Sequence, residues 1–171
     1  AVHVLLDVSG SMAGAPINRA NRACFAVATA LSQIRGVNPA VTAFPATTVT
    51  NSIFPIMRHG HAVPDLFDIR ASGGTPLAGA LWWVLQTMLP LNEQRKMILV
   101  ITDGMPDNPL AANNAIGVAQ KLGFEVYGLG IRDEHITHLL PHTSRVVNDL
   151  PDIVPAMFAL LQVALLKGGA V

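Results

Sequence analysis

Three oxygen-bearing side chains stand on alternate positions in HVLLDVSGSMAG (residues 3–14): Asp7, Ser9 and Ser11. They follow directly on an apolar run, where an ordinary polar turn would need no such pattern. Two more residues of this kind occur in comparable places. Thr75 follows the short Ser-Gly-Gly stretch 72–74, and Asp103 follows the apolar run 96–102 within ITDGMPD. Two carboxylates and three hydroxyls form a hard, all-oxygen set without thiolate or imidazole. Such a set suits Mg²⁺, and also admits Mn²⁺ or Ca²⁺, rather than Zn²⁺ or Cu²⁺.

A cation would also answer an electrostatic problem. Asp7 and Asp103 each end an apolar strand-like run, and neighbouring strands lie about 4.8 Å apart. Two carboxylates ~6 Å apart at an effective dielectric of ~20 repel by about 3 kcal/mol. Without a cation, one of them is expected to shift towards its protonated form.

The elements that must position these residues alternate along the chain. Residues 2–8 read as a continuous apolar strand, covered on both faces. From Pro16 the period becomes helical through Ile17, Ala20, Cys24, Val27, Ala28, Leu31 and Ile34, with Gly36 as the stop. Residues 41–44 and 49–56 form two short strands around a turn at Pro45 and Ala46, too close for a crossover, so one runs antiparallel. Residues 59–70 read as loop with one helical turn at most. Thr75-Pro76 reads as a cap followed by the first helical residue, and Asn108-Pro109 repeats the device with Gly123 closing that helix. Further strands are expected at 96–102, 124–131 and 144–147. A last helix is expected from a cap at Asp149, with Pro151 early in it, to about Lys167. Strands alternating with helices predict an α/β fold: a three-layer Rossmann-like sandwich with helices on both faces of a mainly parallel six-stranded sheet that has one antiparallel edge strand. Ligands of such sheets bind beyond the carboxyl ends of the strands, where strand order reverses. Asp7, Ser9, Ser11, Thr75 and Asp103 are all delivered there.

With the elements in place, DVSGSM, the threonine of GGTPL and ITDGMPD together resemble the metal-ion-dependent adhesion site of von Willebrand factor A domains. The family pattern of Asp-x-Ser-x-Ser, a distant Thr and a distant Asp is filled at all five positions. The resemblance implies a metal site that leaves one position open for an Asp or Glu of a partner protein. It therefore implies a binding module with no turnover of its own. SGGTPLAGALWW and RKMILVITDGMPDN further resemble prokaryotic members, such as the subunit of cobalt and magnesium chelatases that works beside an AAA+ ATPase. Such subunits are expected to carry an acidic region upstream, which does not fall within residues 1–171.

Composition agrees with that class. Apolar residues make up 51% and charged ones 13%, a globular rather than a disordered composition. Eleven basic residues balance eleven acidic ones, which leaves no electrostatic footprint for nucleic acid or an anionic membrane. The single cysteine, Cys24, allows no internal disulfide and suits a reducing cytoplasm. No apolar run reaches the ~20 residues of a membrane span. Residues 1–171 are read as one domain, and because Ala1 already falls within the first strand, as one excised from a longer protein.

The competing readings are an enzyme and an idle structural domain. A Mg²⁺-dependent phosphatase or phosphotransferase could use Asp7 as nucleophile. Haloacid-dehalogenase-like sites usually carry a second Asp two residues later, where this chain has Ser9, and no phosphate-cradling glycine loop follows the first strand. Thr75 could serve only as a helix cap, Ser9 and Ser11 only as turn residues, and Asp107 is expected to help start the next helix. His59, His61, His135, His138 and His142 have spacings open to zinc. Pro141 and the lack of a completing ligand favour solvated or hydrogen-bonded histidines. Cys24 is expected in the core. Trp82 and Trp83 point in different directions from one helix, and Met12 and Met105 flank the oxygen cluster as an apolar docking rim.

Overall fold

The computed structural model describes residues 1–45, 53–65 and 67–166. Its first strand, β1 (Val2–Asp7), is buried at every position, as a strand covered on both faces requires. β2 (Pro39–Phe44) is buried throughout and β4 (Lys96–Thr102) at all but its first residue. With β3 (Phe54–Met57), β5 (Phe124–Ile131) and β6 (Ser144–Val147) they form one sheet of order β3-β2-β1-β4-β5-β6. Every pairing is parallel except that of β2 with β3, so β3 is the antiparallel edge strand.

Helices close both faces. Val4 and Leu6 of β1 pack with Cys24 and Val27 of α1 (Ala15–Ser32) and with Met157 and Leu161 of α5 (Ile153–Leu166). Leu5, of opposite parity, packs with Leu81 and Leu85 of α2 (Leu77–Met88) and Ile116 of α3 (Pro109–Lys121). This is the expected three-layer sandwich. Cys24 is fully buried, and burial pushes its thiol up to about 12. Trp82 is exposed while Trp83 packs against the core, as their adjacency on one helix requires.

The local differences have physical causes. Pro76, not Thr75, occupies the N-cap position of α2, and no side chain caps that helix. The Asn108 side chain does cap α3, its Oδ1 accepting the Ala111 N–H at 2.9 Å. Asp149 makes no capping bond; a 3-10 turn (Leu150–Asp152) intervenes, and α5 begins only at Ile153. A five-residue helix, α4 (His135–Leu139), follows β5, too short to leave a helical period in the sequence. The described residues of 59–70 contain no helix. Of the strand expected at 49–56, residues 49–52 lie outside the described residues, as does the turn residue Ala46. Residues 54–56 fall in β3 and Ile53 precedes it, and Lys167 likewise lies beyond the described end of α5.

Candidate metal centre

Strand order reverses at β1. From it the chain passes to β2 on one side and returns later to β4 on the other, so the crevice lies at the carboxyl ends of β1 and β4. Asp7 is the last residue of β1, and Asp103 follows Thr102, the last residue of β4. The two strands are in register up to Leu6 opposite Ile101, which brings both carboxylates to one edge.

Hydrogen bonds link these residues in a continuous run. Asp7 Oδ1 accepts the Ser9 backbone N–H at 2.8 Å, and Asp7 Oδ2 accepts the Thr102 hydroxyl at 2.6 Å. Ser9 Oγ lies 3.0 Å from Ser11 Oγ, and Ser11 Oγ donates to Asp103 Oδ1 at 2.7 Å. Asp7 and Ser9 are buried and Asp103 half-buried, while Ser11 is exposed. The cluster thus runs from the core to solvent.

Burial pushes the Asp7 carboxyl up to about 6, against the hydrogen bonds from Thr102 and Ser9, and the nearby Asp103 charge adds to the rise. Burial is also the largest cause raising Asp103, opposed by its bond from Ser11. The expected upward shift is therefore present. Its main cause is desolvation, with carboxylate repulsion the smaller contribution.

Thr75 reaches the crevice on a loop tied to both neighbours. Ser72 N–H donates to the Val8 carbonyl at 2.7 Å, and Gly10 N–H donates to the Gly73 carbonyl at 2.9 Å. Gly73 has φ +79°, and a Cβ there would come within 3.0 Å of the Pro45 ring, so both backbone conformation and space require glycine. Thr75 itself is buried and stands outside the helix-capping role its sequence context suggests. Two contributors escape a reading of the sequence. Thr102 looks like any terminal strand residue, yet its hydroxyl holds Asp7. Asp107, expected to start α3, instead accepts the Thr75 N–H at 2.8 Å.

The donor set fits a hard cation. Ligand oxygens at the ~2.1 Å of an octahedral Mg²⁺ sit about 3.0 Å apart along each edge. The 3.0 and 2.7 Å separations across Ser9, Ser11 and Asp103 are of that size. A cation would also relieve the two raised carboxyls.

The remaining sequence candidates fall elsewhere. Among the described residues, no group of three or more His, Cys, Asp or Glu is arranged to hold a metal. His59 Nδ1 lies 3.0 Å from the Asn38 carbonyl, His59 Nε2 lies 3.1 Å from His3 Nδ1, and His3 Nε2 lies 2.8 Å from Thr42 Oγ1. A carbonyl only accepts, so with neutral rings His59 donates from Nδ1, His3 donates to His59, and Thr42 donates to His3. His61 Nδ1 donates to the His59 carbonyl at 3.1 Å, and His135 pairs with Asp133 at 2.6 Å. Met12 is fully buried and belongs to the core, which corrects its expected place on a docking rim. Met105 is exposed, and so is Leu110 at the start of α3.

Comparison with known proteins agrees with this architecture. A family model described as von Willebrand factor type A domain matches residues 2–105, a span that includes all five oxygen-bearing positions. No curated protein sequence matches the chain. Among solved structures, manganese-loaded TRAP protein from Plasmodium vivax is 16% identical, with a TM-score of 0.69 over 94% of this chain and 72% of that one. Proximal thread matrix protein 1 from the mussel byssus, solved with a zinc-occupied MIDAS motif, is 14% identical, with a TM-score of 0.75 over 95% of this chain and 47% of that one. The pilus adhesin SpaC from Lactobacillus rhamnosus GG is 15% identical, with a TM-score of 0.75 over 95% of this chain and 30% of that one. At these identities the likeness is one of fold. The chain spans less than half the length of the latter two proteins.

Proposed function

The chain belongs to the von Willebrand factor type A domain family, and from that premise we propose that it is a divalent-metal-dependent protein-binding module. Asp7, Ser9, Ser11, Thr75 and Asp103 would hold the ion, with Mg²⁺ as the resident metal and Mn²⁺ or Ca²⁺ able to replace it. The observation that carries this reading is the hydrogen-bonded run of Asp7, Ser9, Ser11 and Asp103 at the carboxyl ends of β1 and β4. The bound cation supplies a positive acceptor for one more carboxylate, because hydroxyl ligands neutralise little of its charge. A partner's Asp or Glu fits that role. Ser11 and Asp103 bring the site to solvent, and Met105 beside them offers apolar surface for the partner around its carboxylate.

The domain is read as non-catalytic. Both Asp7 oxygens are engaged, by Ser9 and by Thr102, which leaves the carboxylate poorly placed as a nucleophile. The partner we favour is an AAA+ ATPase, in a complex of the chelatase type, on the strength of the SGGTPLAGALWW and ITDGMPDN segments. A cytoplasmic setting is favoured by the lone buried Cys24. Among the described residues, no helix is long and apolar enough to cross a membrane.

Pull-down of the partner from cell extract in Mg²⁺ or in EDTA tests the reading. Association that needs Mg²⁺ and is lost in Asp7→Ala and Thr75→Ala is expected. Association indifferent to EDTA and to both substitutions would overturn it. Phosphate-ester hydrolysis by the purified domain, abolished by Asp7→Asn, would replace it with the enzyme.

A further inference from the structure

We propose that Asp107 is the positioning residue of the metal centre: it clamps the loop that carries Thr75 to the loop that carries Asp103. The inference rests on the metal-site reading above. Two bonds run in opposite directions between the same two residues. The Thr75 N–H donates to Asp107 Oδ1 at 2.8 Å, and the Asp107 N–H donates to the Thr75 carbonyl at 3.0 Å. The same Thr75 carbonyl also accepts the Leu77 N–H at 2.8 Å, which joins the clamp to the first residue of α2.

The neighbouring sequence is fitted to this contact. A Cβ on Gly74 would lie 2.9 Å from each Asp107 carboxylate oxygen, so only glycine lets the carboxylate sit against the backbone there. The bonds of this loop to Val8 and Gly10 run between backbone atoms. Asp107 adds a side-chain bond that fixes Thr75 relative to the loop of Asp103. Asn108 already caps α3, so starting that helix does not account for Asp107.

Asp107 is itself exposed, so replacing it opens no cavity in the core; what it removes is the acceptor of the buried Thr75 N–H. Its removal takes away one of the two bonds that join Thr75 to this loop, leaving the backbone bond from the residue-107 N–H, and so loosens Thr75 relative to the other ligands. Losing an outer residue that orients a ligand typically weakens metal binding by about 10–100-fold. Asn in its place keeps an acceptor for the Thr75 N–H and removes only the charge.

The test uses Mn²⁺ titration together with amide hydrogen exchange at Thr75 in the metal-free protein. Asp107→Ala is expected to bind Mn²⁺ at least tenfold more weakly than wild type and to exchange the Thr75 amide at least tenfold faster. It should still fold and unfold cooperatively, with a melting temperature lowered by only a few degrees. Asp107→Asn should restore both readouts, and Asp107→Ala added to Thr75→Ala should weaken binding no further, because the clamp acts through Thr75. Asp107→Asn as weak as Asp107→Ala would instead make the residue a charge or ligand in its own right and overturn the clamp. Unchanged exchange and affinity in Asp107→Ala would overturn it equally. Wild type that takes up no Mn²⁺ defeats the metal reading and the ligand-positioning role with it, while the exchange measurement, needing no metal, reports the backbone clamp separately.

Discussion

At the scale of single residues, Asp7 and His3 are both buried, and they respond to pH in opposite ways. Asp7 is a buried carboxyl held up to about 6, so without metal its charged form is a cost to the fold. His3 is buried and held down to about 3, chiefly by desolvation and then by His59, whose own pKa is lowered by burial. The folded protein leaves His3 neutral while the unfolded chain takes up a proton near pH 6.5. The stability this contributes is full above that pH and is lost as pH falls towards 3. In urea unfolding, the stability gap between wild type and His3→Gln should be widest at pH 7.5 and clearly narrower at pH 5. A gap independent of pH would contradict the assignment. Asp7, Ser9, Ser11 and Asp103, which hydrogen bonds join in the structure, were legible in the sequence as neighbours because type and spacing together are specific. The burial that dominates the Asp7 shift was not, since it depends on packing from elements far apart in the chain.

At the scale of elements, helix boundaries record local chemistry only where no tertiary contact competes. Asn108-Pro109 caps α3 as its sequence suggests, because the Asn108 side chain is free to turn back on the Ala111 N–H. Thr75-Pro76 has the same pattern and a different outcome. The Thr75 N–H is taken by Asp107 and its carbonyl by Asp107 and Leu77, so the residue belongs to the loop and α2 starts two residues later. Asn108→Ala should accordingly destabilise the domain by about 1 kcal/mol in urea unfolding, the usual loss for an N-cap. A change near zero would show that α3 is held by its packing alone. The central strands were legible from their unbroken apolar runs. α4 was not: its short turn depends on Gly128 and Gly130 in β5, where any Cβ would collide with Ile136 or the Asp133 carbonyl.

At the scale of the whole molecule, a neutral and strongly apolar chain builds a sheet whose order reverses at β1, and that reversal gathers three distant segments at one edge. The fold therefore makes the site, while the loops decide what it can bind. The central claim is that this edge holds one hard divalent cation through Asp7. Calorimetric titration of Mg²⁺ and Mn²⁺ at pH 7.5 into wild type and Asp7→Asn, with metal-free urea unfolding of both, tests it most directly. The account predicts one site per wild-type chain and none in Asp7→Asn. It also predicts a metal-free variant more stable than wild type by about 1–3 kcal/mol, because a buried charge has been removed. Equal metal binding by the two proteins, or no binding by a folded wild type, would contradict it.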